Sequence, residues 1–175
     1  QQFVMQLLTA LKRTGANPRY LKLELTESML IHNQQDIIAK MDELKNHGIK
    51  FSLDDFGTGY SSLAYLKRLP INELKIDKSF VNDVLVDSND AAIARMIIRL
   101  AQSMELRVIA EGVENEGQAE WLRTHGCDQA QGFFYAKPMT AKQLEGHFRN
   151  GRFYFDGTVV RLENHLREQQ LKVGA

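Results

Sequence analysis

Acidic side chains stand at or just beyond the ends of several short apolar segments of this chain. Glu24 and Glu27 belong to the first of these segments, Asp54 and Asp55 follow the second, and Glu111 follows a later one. Clustered carboxylate oxygens, with few histidines and no set of thiolates, suit a hard divalent cation such as Mg²⁺ or Mn²⁺. Carboxylates that share a cleft repel one another unless cations lie between them. The residue types therefore favour a divalent-cation site, with helix capping and Asx turns as the structural alternative.

Further polar side chains stand at the ends of the same series of segments. Lys75 lies within an apolar segment that ends near Asp77. Glu114 follows Glu111, and Gln131 ends the last segment. A lysine among carboxylates neutralises charge or orients a water molecule, although an ordinary salt bridge uses the same residue types. A glutamine followed by glycine fits an amide that faces a ligand with the backbone close behind it.

The segments that carry these residues alternate with helical patterns. Alternating or continuous apolar residues predict five strands, at Leu21–Thr26, Ile49–Leu53, Glu73–Ile76, Leu106–Ala110 and Cys127–Gly132. Helical spacing between them predicts crossover connections, so the strands should be parallel and the fold α/β. In an α/β barrel the carboxyl ends of the strands share one face, which holds the active site. We therefore expect the polar side chains to meet at that face.

Asp54 and Asp55 are adjacent in sequence, so their two carboxylates can face the same site only if the backbone is not a regular strand there. Neighbouring side chains of a regular strand point to opposite faces of the sheet. We expect both carboxylates to converge because the strand ends before them, at a turn that Gly57 and Gly59 permit.

Composition restricts the class of partner. The chain has 175 residues, 43% of them hydrophobic and 25% charged, which is ordinary for one globular domain. Its formal net charge is zero, so the overall field offers little attraction to a polynucleotide. A small anionic ligand is still compatible, because bound metal ions supply positive charge locally. The single cysteine, Cys127, fits a reducing cytoplasm, and no apolar run approaches the ~20 residues of a membrane segment.

Five motifs in order and at matching spacing resemble the EAL domain family over residues 1 to about 148. They are ELTE from Glu24, DDFGTGYSSL from Asp54, LKID from Leu74, AEGVE from Ala110 and QGFFYAKP from Gln131. The resemblance implies a TIM-like (β/α) barrel in a bacterial signalling protein. It also implies a phosphodiesterase that hydrolyses cyclic di-GMP to linear pGpG with two Mg²⁺ or Mn²⁺ ions.

The resemblance assigns roles to individual residues. It implies four metal ligands, namely Glu24, Asp54, Asp55 and Glu111. It implies that Lys75 contacts and activates the nucleophilic water, so that Lys75 and Glu111 are catalytic residues. Two cations about 3.5–4 Å apart clamp the attacking and leaving oxygens in such an in-line displacement.

The resemblance also assigns roles around this centre. Glu27 is implied as a further catalytic residue that braces the DDFGTG loop, and Gln131, Asp77 and Glu114 are implied next to the substrate. The functional loop is implied to include Phe56, Gly57, Thr58 and Gly59, and the loop residues after Gly59 are implied to link metal occupancy to dimerisation.

The chain also departs from the family pattern. The Glu-Ala-Leu motif and the following strand with its metal-binding asparagine are absent from its start. We therefore expect an incomplete barrel of about five parallel strands, without two of the metal ligands and with impaired hydrolysis. The alternative is a non-catalytic module that binds cyclic di-GMP or a protein partner. An inert fragment of a longer protein is a third reading, and an unrelated Mg²⁺-dependent barrel enzyme would not explain the ordered motifs.

The last part of the chain lies outside the family pattern. Residues 1–148 are predicted to form the partial EAL domain and residues 149–175 a C-terminal extension. Arg152–Arg161 predicts a hairpin around an Asp-Gly turn, and Glu163–Leu171 predicts a helix. We hypothesise that the hairpin occupies part of the gap in the barrel. Pairing of two chains is the alternative, so a homodimer is expected through the DDFGTG loop region or the open barrel edge.

Overall fold

Five parallel strands form the sheet that carries the candidate site. The computed structural model describes residues 2–31, 34–59, 63–149, 152–155 and 158–161. The strands lie side by side in chain order: β1 Lys22–Thr26, β2 Lys50–Phe56, β3 Glu73–Ile76, β4 Arg107–Ala110 and β5 Gln129–Ala130. Each neighbouring pair is parallel, which confirms the predicted α/β class and the predicted parallel strands.

Helices connect the strands and cover the sheet. They are α1 Gln2–Thr14, α2 Gln34–Asn46, α3 Leu63–Leu66, α4 Lys78–Asn82, α5 Ser88–Ser103, α6 Glu116–Thr124 and α7 Ala141–Arg149, with 3₁₀ turns at Pro18–Tyr20 and Glu27–Ile31. The short helix α4 was not predicted from the sequence. None of the helices in the described ranges is both long and apolar enough to cross a membrane.

Alternation along β3 separates the core from the site. Leu74 and Ile76 are fully buried and belong to the same apolar cluster as Ile97 of α5. Burial of each such side chain contributes about 1.5–3 kcal/mol. Because side chains alternate along a strand, Lys75 points away from this cluster, to the opposite face of the sheet. The apolar positions therefore fix the direction in which the lysine points.

The end of β2 differs from the prediction. The strand continues beyond Leu53 as far as Phe56, and its pairing with β3 is irregular between those two residues. Asp55 lies in the left-handed region, with φ of 55°. Such an irregularity changes the direction of side chains without ending the strand. The expectation that the strand stops before Asp54 is therefore wrong, and Phe56, expected in the loop, is a buried strand residue.

Strand β5 is shorter than predicted. It covers only Gln129–Ala130 of the predicted range, although the Gln131 amide still donates to the Ala110 carbonyl at 2.8 Å. The chain then turns, because the Tyr135 amide donates back to the Gly132 carbonyl at 3.0 Å. This turn replaces the end of the predicted strand.

The C-terminal hairpin forms as predicted but, among the described strands, its two strands pair only with each other. β6 Arg152–Phe155 and β7 Thr158–Arg161 are antiparallel and make a separate two-stranded sheet. Within the described ranges, β1 and β5 are the two edges of the five-stranded sheet. The hairpin thus does not close the barrel by strand pairing. The predicted helix after the hairpin lies outside the described residues, and the domain boundary near residue 148 stays a prediction.

The single cysteine offers a test of the packing beside β5. Burial raises the pKa of the Cys127 thiol to about 11, and its Sγ donates to the Gln129 carbonyl at 3.1 Å. At pH 8 alkylation by iodoacetamide should be at least about 100-fold slower in the folded protein than in urea, because the thiolate is the reactive form. Equal rates in the two states would show that the thiol is not held in this environment.

Candidate functional site

Lys75 is the centre of a cluster of charged side chains. Its side chain extends from the middle of β3 and the residue is 5% exposed. Its Nζ lies 2.9 Å from Oε2 of Glu24, 3.0 Å from Oδ1 of Asp54 and 2.6 Å from Oε1 of Glu111. Glu24 belongs to β1, Asp54 belongs to β2, and Glu111 directly follows β4. Three carboxylates from three strands therefore converge on one ammonium group.

The pKa values show how strongly this ammonium is held. Burial alone would lower the pKa of Lys75, but hydrogen bonds to Glu111, Glu24 and Asp54 raise it above its ordinary value. Burial raises the pKa of Glu111, against the lowering effect of Lys75. Three carboxylates share one positive charge, so the cluster has an excess of negative charge. Such an excess attracts a further cation.

Asp55 and Asp77 lie on one side of this cluster. Burial raises the pKa of Asp55, and the charges of Asp54 and Asp77 raise it further. Asp77 also caps α4, since its Oδ1 accepts a hydrogen bond from the Ser79 amide at 2.9 Å. The irregular end of β2 thus brings Asp55 close enough to interact with both carboxylates.

The donor chemistry of this cluster fits a hard divalent cation. Carboxylate oxygens are the ligands that Mg²⁺ and Mn²⁺ prefer, and no thiolate competes for them. Within the described part of the chain, no three or more His, Cys, Asp or Glu side chains are arranged around a single metal position. The cation that the carboxylates surround in this arrangement is the ammonium of Lys75. The residues that could hold a metal remain Glu24, Asp54, Asp55 and Glu111.

Glu27 anchors the loop that follows β2. It is 6% exposed, and its Oε2 accepts a hydrogen bond from the Gly57 amide at 3.2 Å. A Cβ atom at Gly59 would lie 2.8 Å from Oε1 of Glu27, so the loop backbone lies directly over the carboxylate. Thr58 closes the turn through its Oγ1, which donates to the Asp55 carbonyl at 2.8 Å. This geometry agrees with the bracing role expected for Glu27.

The contact of Glu27 predicts the effect of its removal. In Glu27→Ala the Gly57 amide loses its acceptor, and stability should fall by about 1–3 kcal/mol. Glu27→Gln keeps one acceptor oxygen and should retain most of that stability. Urea unfolding of both variants, with amide exchange at Gly57, tests this. If Glu27→Gln were as unstable as Glu27→Ala, the hydrogen bond to the Gly57 amide would not be the source of the stabilisation.

Gln131 joins the cluster and Glu114 does not. The Gln131 side-chain amide donates to Oε1 of Glu111 at 2.6 Å. Glu114 instead pairs with Lys78 at 2.8 Å, and both of these side chains are about half exposed. The structure therefore brings Gln131 to the cluster and leaves Glu114 in a separate, half-exposed ion pair.

Sequence reasoning missed two buried polar residues near the site, Glu73 and Gln118. Glu73 is fully buried two residues before Lys75 and pairs with Lys22 of β1. The alternating pattern Glu-Leu-Lys could have indicated that Glu73 shares a face with Lys75. Gln118 is a buried polar residue in the first turn of α6, and a glutamine three residues after an asparagine is a capping-box signal. The glycine after Gln131 was expected to permit a close approach of the backbone, and Gly132 lies directly against the backbone of Val113.

Comparison with known proteins gives a consistent result. The EAL domain matches residues 1–138. The bifunctional diguanylate cyclase/cyclic di-GMP phosphodiesterase MucR of Pseudomonas aeruginosa is 47% identical over 135 residues, which cover 77% of this chain and 20% of that protein. The cyclic di-GMP phosphodiesterase NbdA of the same organism is 43% identical over 82% of this chain and 18% of its own length. This chain therefore spans about a fifth of the length of these curated relatives.

Solved structures with the same fold include ligand complexes. The PaMucR phosphodiesterase, solved as a c-di-GMP complex, superposes with a TM-score of 0.78 at 46% identity, over 81% of this chain and 57% of that chain. Klebsiella pneumoniae BlrP1 was solved as calcium and manganese complexes with cy-diGMP. Both superpose with a TM-score of 0.71 at 31% identity, over 77% of this chain and 34% of that chain.

Proposed function

The chain belongs to the EAL domain family, and from this premise we propose that it is the larger part of a phosphodiesterase domain acting on cyclic di-GMP. The observation that carries the proposal is the convergence of Glu24, Asp54 and Glu111 on Lys75. Helix capping and turn chemistry do not require carboxylates from three strands to face one buried lysine. A site for phosphoryl chemistry with metal ions uses such a group of converging carboxylates to hold the ions.

The reaction needs one water molecule and breaks one phosphodiester bond. The water oxygen forms a bond to phosphorus, and the bond between that phosphorus and the 3′ oxygen of the ring breaks. A proton from the water ends on the leaving oxygen, and the product is linear pGpG with a 5′ phosphate. No oxidant, reductant or second substrate is required.

Divalent ions, Mg²⁺ or Mn²⁺, would be held by Glu24, Asp54, Asp55 and Glu111. When bound, they polarise phosphoryl oxygens and lower the pKa of a coordinated water. Their positive charge would offset the excess negative charge of the carboxylates. The manganese and calcium complexes of BlrP1 support this choice of cation class.

Lys75 has a role of its own in this proposal. Its carboxylate partners raise its pKa above the ordinary value, so its side chain is an ammonium at neutral pH. An ammonium donates hydrogen bonds and cannot accept a proton, so Lys75 orients the attacking water and stabilises negative charge. Gln131 holds Glu111 by its amide and presents a second polar group to the substrate. Asp77 and Glu114 lie farther out, where they would contact the substrate.

Turnover by the purified chain tests the proposal. The chain is incubated with cyclic di-GMP and Mn²⁺, and pGpG is followed by anion-exchange chromatography. Asp54→Asn, which removes one charge at nearly constant volume, should lower the rate at least about 100-fold, and EDTA should abolish turnover. Hydrolysis that persists in EDTA or in the variant would contradict the proposal.

A second candidate is a module that binds cyclic di-GMP or a protein without hydrolysis. The open sheet favours it, since β1 and β5 each pair on one side only among the described strands. Hydrolysis requires closely positioned groups, whereas binding tolerates an incomplete set. Calorimetric binding of cyclic di-GMP without pGpG formation would identify a cyclic di-GMP-binding module, and absence of both would exclude hydrolysis and cyclic di-GMP binding and leave only the binding of a protein.

Self-association through the exposed loop region also belongs to the proposal. Met29, in the 3₁₀ turn that begins at Glu27, and Leu63, the first residue of α3, are 58% and 61% exposed. Large exposed apolar side chains near a functional loop favour a protein contact. Light scattering of the purified chain tests whether a homodimer forms. The single cysteine is compatible with a cytoplasmic location for this assembly.

A further inference from the structure

Gln118 makes three hydrogen bonds from a buried position. It lies in the first turn of α6 and is only 4% exposed. Its Oε1 accepts from the amides of Glu114 at 2.7 Å and Asn115 at 3.2 Å, and its Nε2 donates to the Asn82 carbonyl at 3.0 Å. A buried amide that loses such partners leaves unpaired polar groups, which are costly. Loss of any of these three hydrogen bonds would therefore leave a buried polar group of the protein without its partner.

The three contacts join two neighbouring strand–helix units. Asn82 is the last residue of α4, the helix that directly follows the strand of Lys75. Glu114 and Asn115 end the segment that begins at Glu111. The Gln118 side chain thus connects α4, which follows the strand of Lys75, with the segment that contains Glu111. Among the three carboxylates around Lys75, that of Glu111 lies nearest to the lysine Nζ.

The segment from Glu111 to Asn115 contains a glycine in a conformation that most residues avoid, Gly112. The Glu111 amide is held by the Ile76 carbonyl at 3.1 Å, and the Val113 amide by the Gln131 carbonyl at 3.0 Å. Between them Gly112 lies in the left-handed region, with φ of 71°, a conformation that few other residues tolerate. Gln118 supplies the side-chain contacts that hold the far end of this segment.

These contacts exceed what helix capping alone requires. In a capping box the third helical residue bonds back to the amide of the cap residue, and the Asn115–Gln118 pair does this. Gln118 additionally binds the Glu114 amide and the carbonyl of Asn82, on a different helix. The bond to α4 has no role in capping α6.

We propose that Gln118 is a positioning residue, which sets the place of Glu111 relative to Lys75 by linking the Glu111 segment to α4. This inference rests on the proposed phosphodiester hydrolysis for its effect on rate. Gln118 does not contact the cluster itself, so its effect passes through the backbone between residues 111 and 115.

Two variants and one matched control test the proposal. Gln118→Ala removes all three bonds, and Gln118→Glu keeps the acceptor but loses the donor to Asn82. Gln102→Ala is the control, because the side-chain amide of Gln102 in α5 also links two units, by donating to the carbonyl of Gly126, just after α6, at 3.2 Å. Gly126 and Gln102 precede β5 and β4, at the opposite ends of the strands from Glu111.

The first measurement is hydrogen exchange by mass spectrometry in EDTA. Gln118→Ala should speed exchange in both the 111–115 segment and α4, whereas Gln118→Glu should do so mainly in α4. Gln102→Ala should leave both unchanged. Faster exchange confined to the first turn of α6 in Gln118→Ala would overturn the proposal, because it would show a local cap only.

The second measurement is the kinetics of pGpG formation with Mn²⁺, at a temperature where each variant is folded. Gln118→Ala should lower kcat by about 10- to 100-fold with a smaller change in KM. The kcat of Gln118→Glu should lie between those of Gln118→Ala and the wild type. The kcat of Gln102→Ala should stay within about twofold of the wild-type value. An unchanged kcat in Gln118→Ala overturns the positioning role. If the wild-type chain shows no turnover, the proposed hydrolysis fails, and the exchange measurement alone decides for or against Gln118.

Discussion

Replacing Lys75 by methionine should destabilise the metal-free protein by about 2–4 kcal/mol, since a buried cation is removed from its carboxylate partners. Glu24, Asp54 and Glu111 would then face one another without a positive charge between them. The expected loss stays below the largest values for buried pairs, because side-chain exposures of 48% for Glu24 and 21% for Asp54 let water screen them. Urea unfolding in EDTA measures the effect.

The neighbouring lysine supplies a matched control for this variant. Lys78 pairs with Glu114 at a similar distance, but both side chains are about half exposed. Lys78→Met should therefore cost less than about 1 kcal/mol. Millimolar Mn²⁺ should restore more stability to Lys75→Met than it adds to the wild type, because a divalent ion can neutralise the same carboxylates. Equal losses in Lys75→Met and Lys78→Met would show that the cluster is not electrostatically coupled.

Gly132→Ala should be the most damaging of the glycine substitutions, with a loss of about 3 kcal/mol or more. An added Cβ would lie 2.1 Å from the Val113 carbonyl oxygen and 2.3 Å from its amide nitrogen. Both obstacles are backbone atoms, so no side-chain rotation relieves the contact. The hydrogen bond between the Val113 amide and the Gln131 carbonyl should be lost, and with it the alignment of Gln131 against Glu111.

Gly146 is the corresponding control. It lies inside α7, and an added Cβ would meet nothing within 4 Å. Gly146→Ala should raise stability by up to about 1 kcal/mol, because alanine favours a helix interior over glycine. Urea denaturation of both variants gives the comparison. If Gly132→Ala were as stable as the wild type, the backbones of Val113 and Gly132 could not be in close contact.

The sequence predicted most of the elements that position the site. Alternation in the segments of Glu24 and Lys75 indicated strands, and acidic or amide residues at the strand ends indicated a shared face. These are local patterns, and the structure brings Glu24, Asp54, Lys75 and Glu111 together as that reasoning requires. The predicted roles of these residues as ligands and catalysts remain predictions.

The remaining features depend on contacts between distant parts of the chain. The left-handed conformation of Asp55 arises at an irregular pairing of β2 with β3, which no local pattern encodes. The bond from Gln118 to Asn82 spans 36 residues, and the contact of Gly132 with Val113 joins two backbone segments. The hairpin was predicted from its turn, but strand propensity could not show that it pairs only with itself.

Carboxylates from successive strands, gathered around Lys75, should hold divalent cations that bind the phosphates of the cyclic dinucleotide. Calorimetric titration of cyclic di-GMP into the chain, with Ca²⁺ or Mn²⁺ present and again in EDTA, measures this directly. Binding should require the cation and should weaken at least about 10-fold in Asp54→Asn, where one ligand is lost. Equal binding with and without the cation, or no binding in any of these conditions, would contradict a cation-dependent site for the dinucleotide.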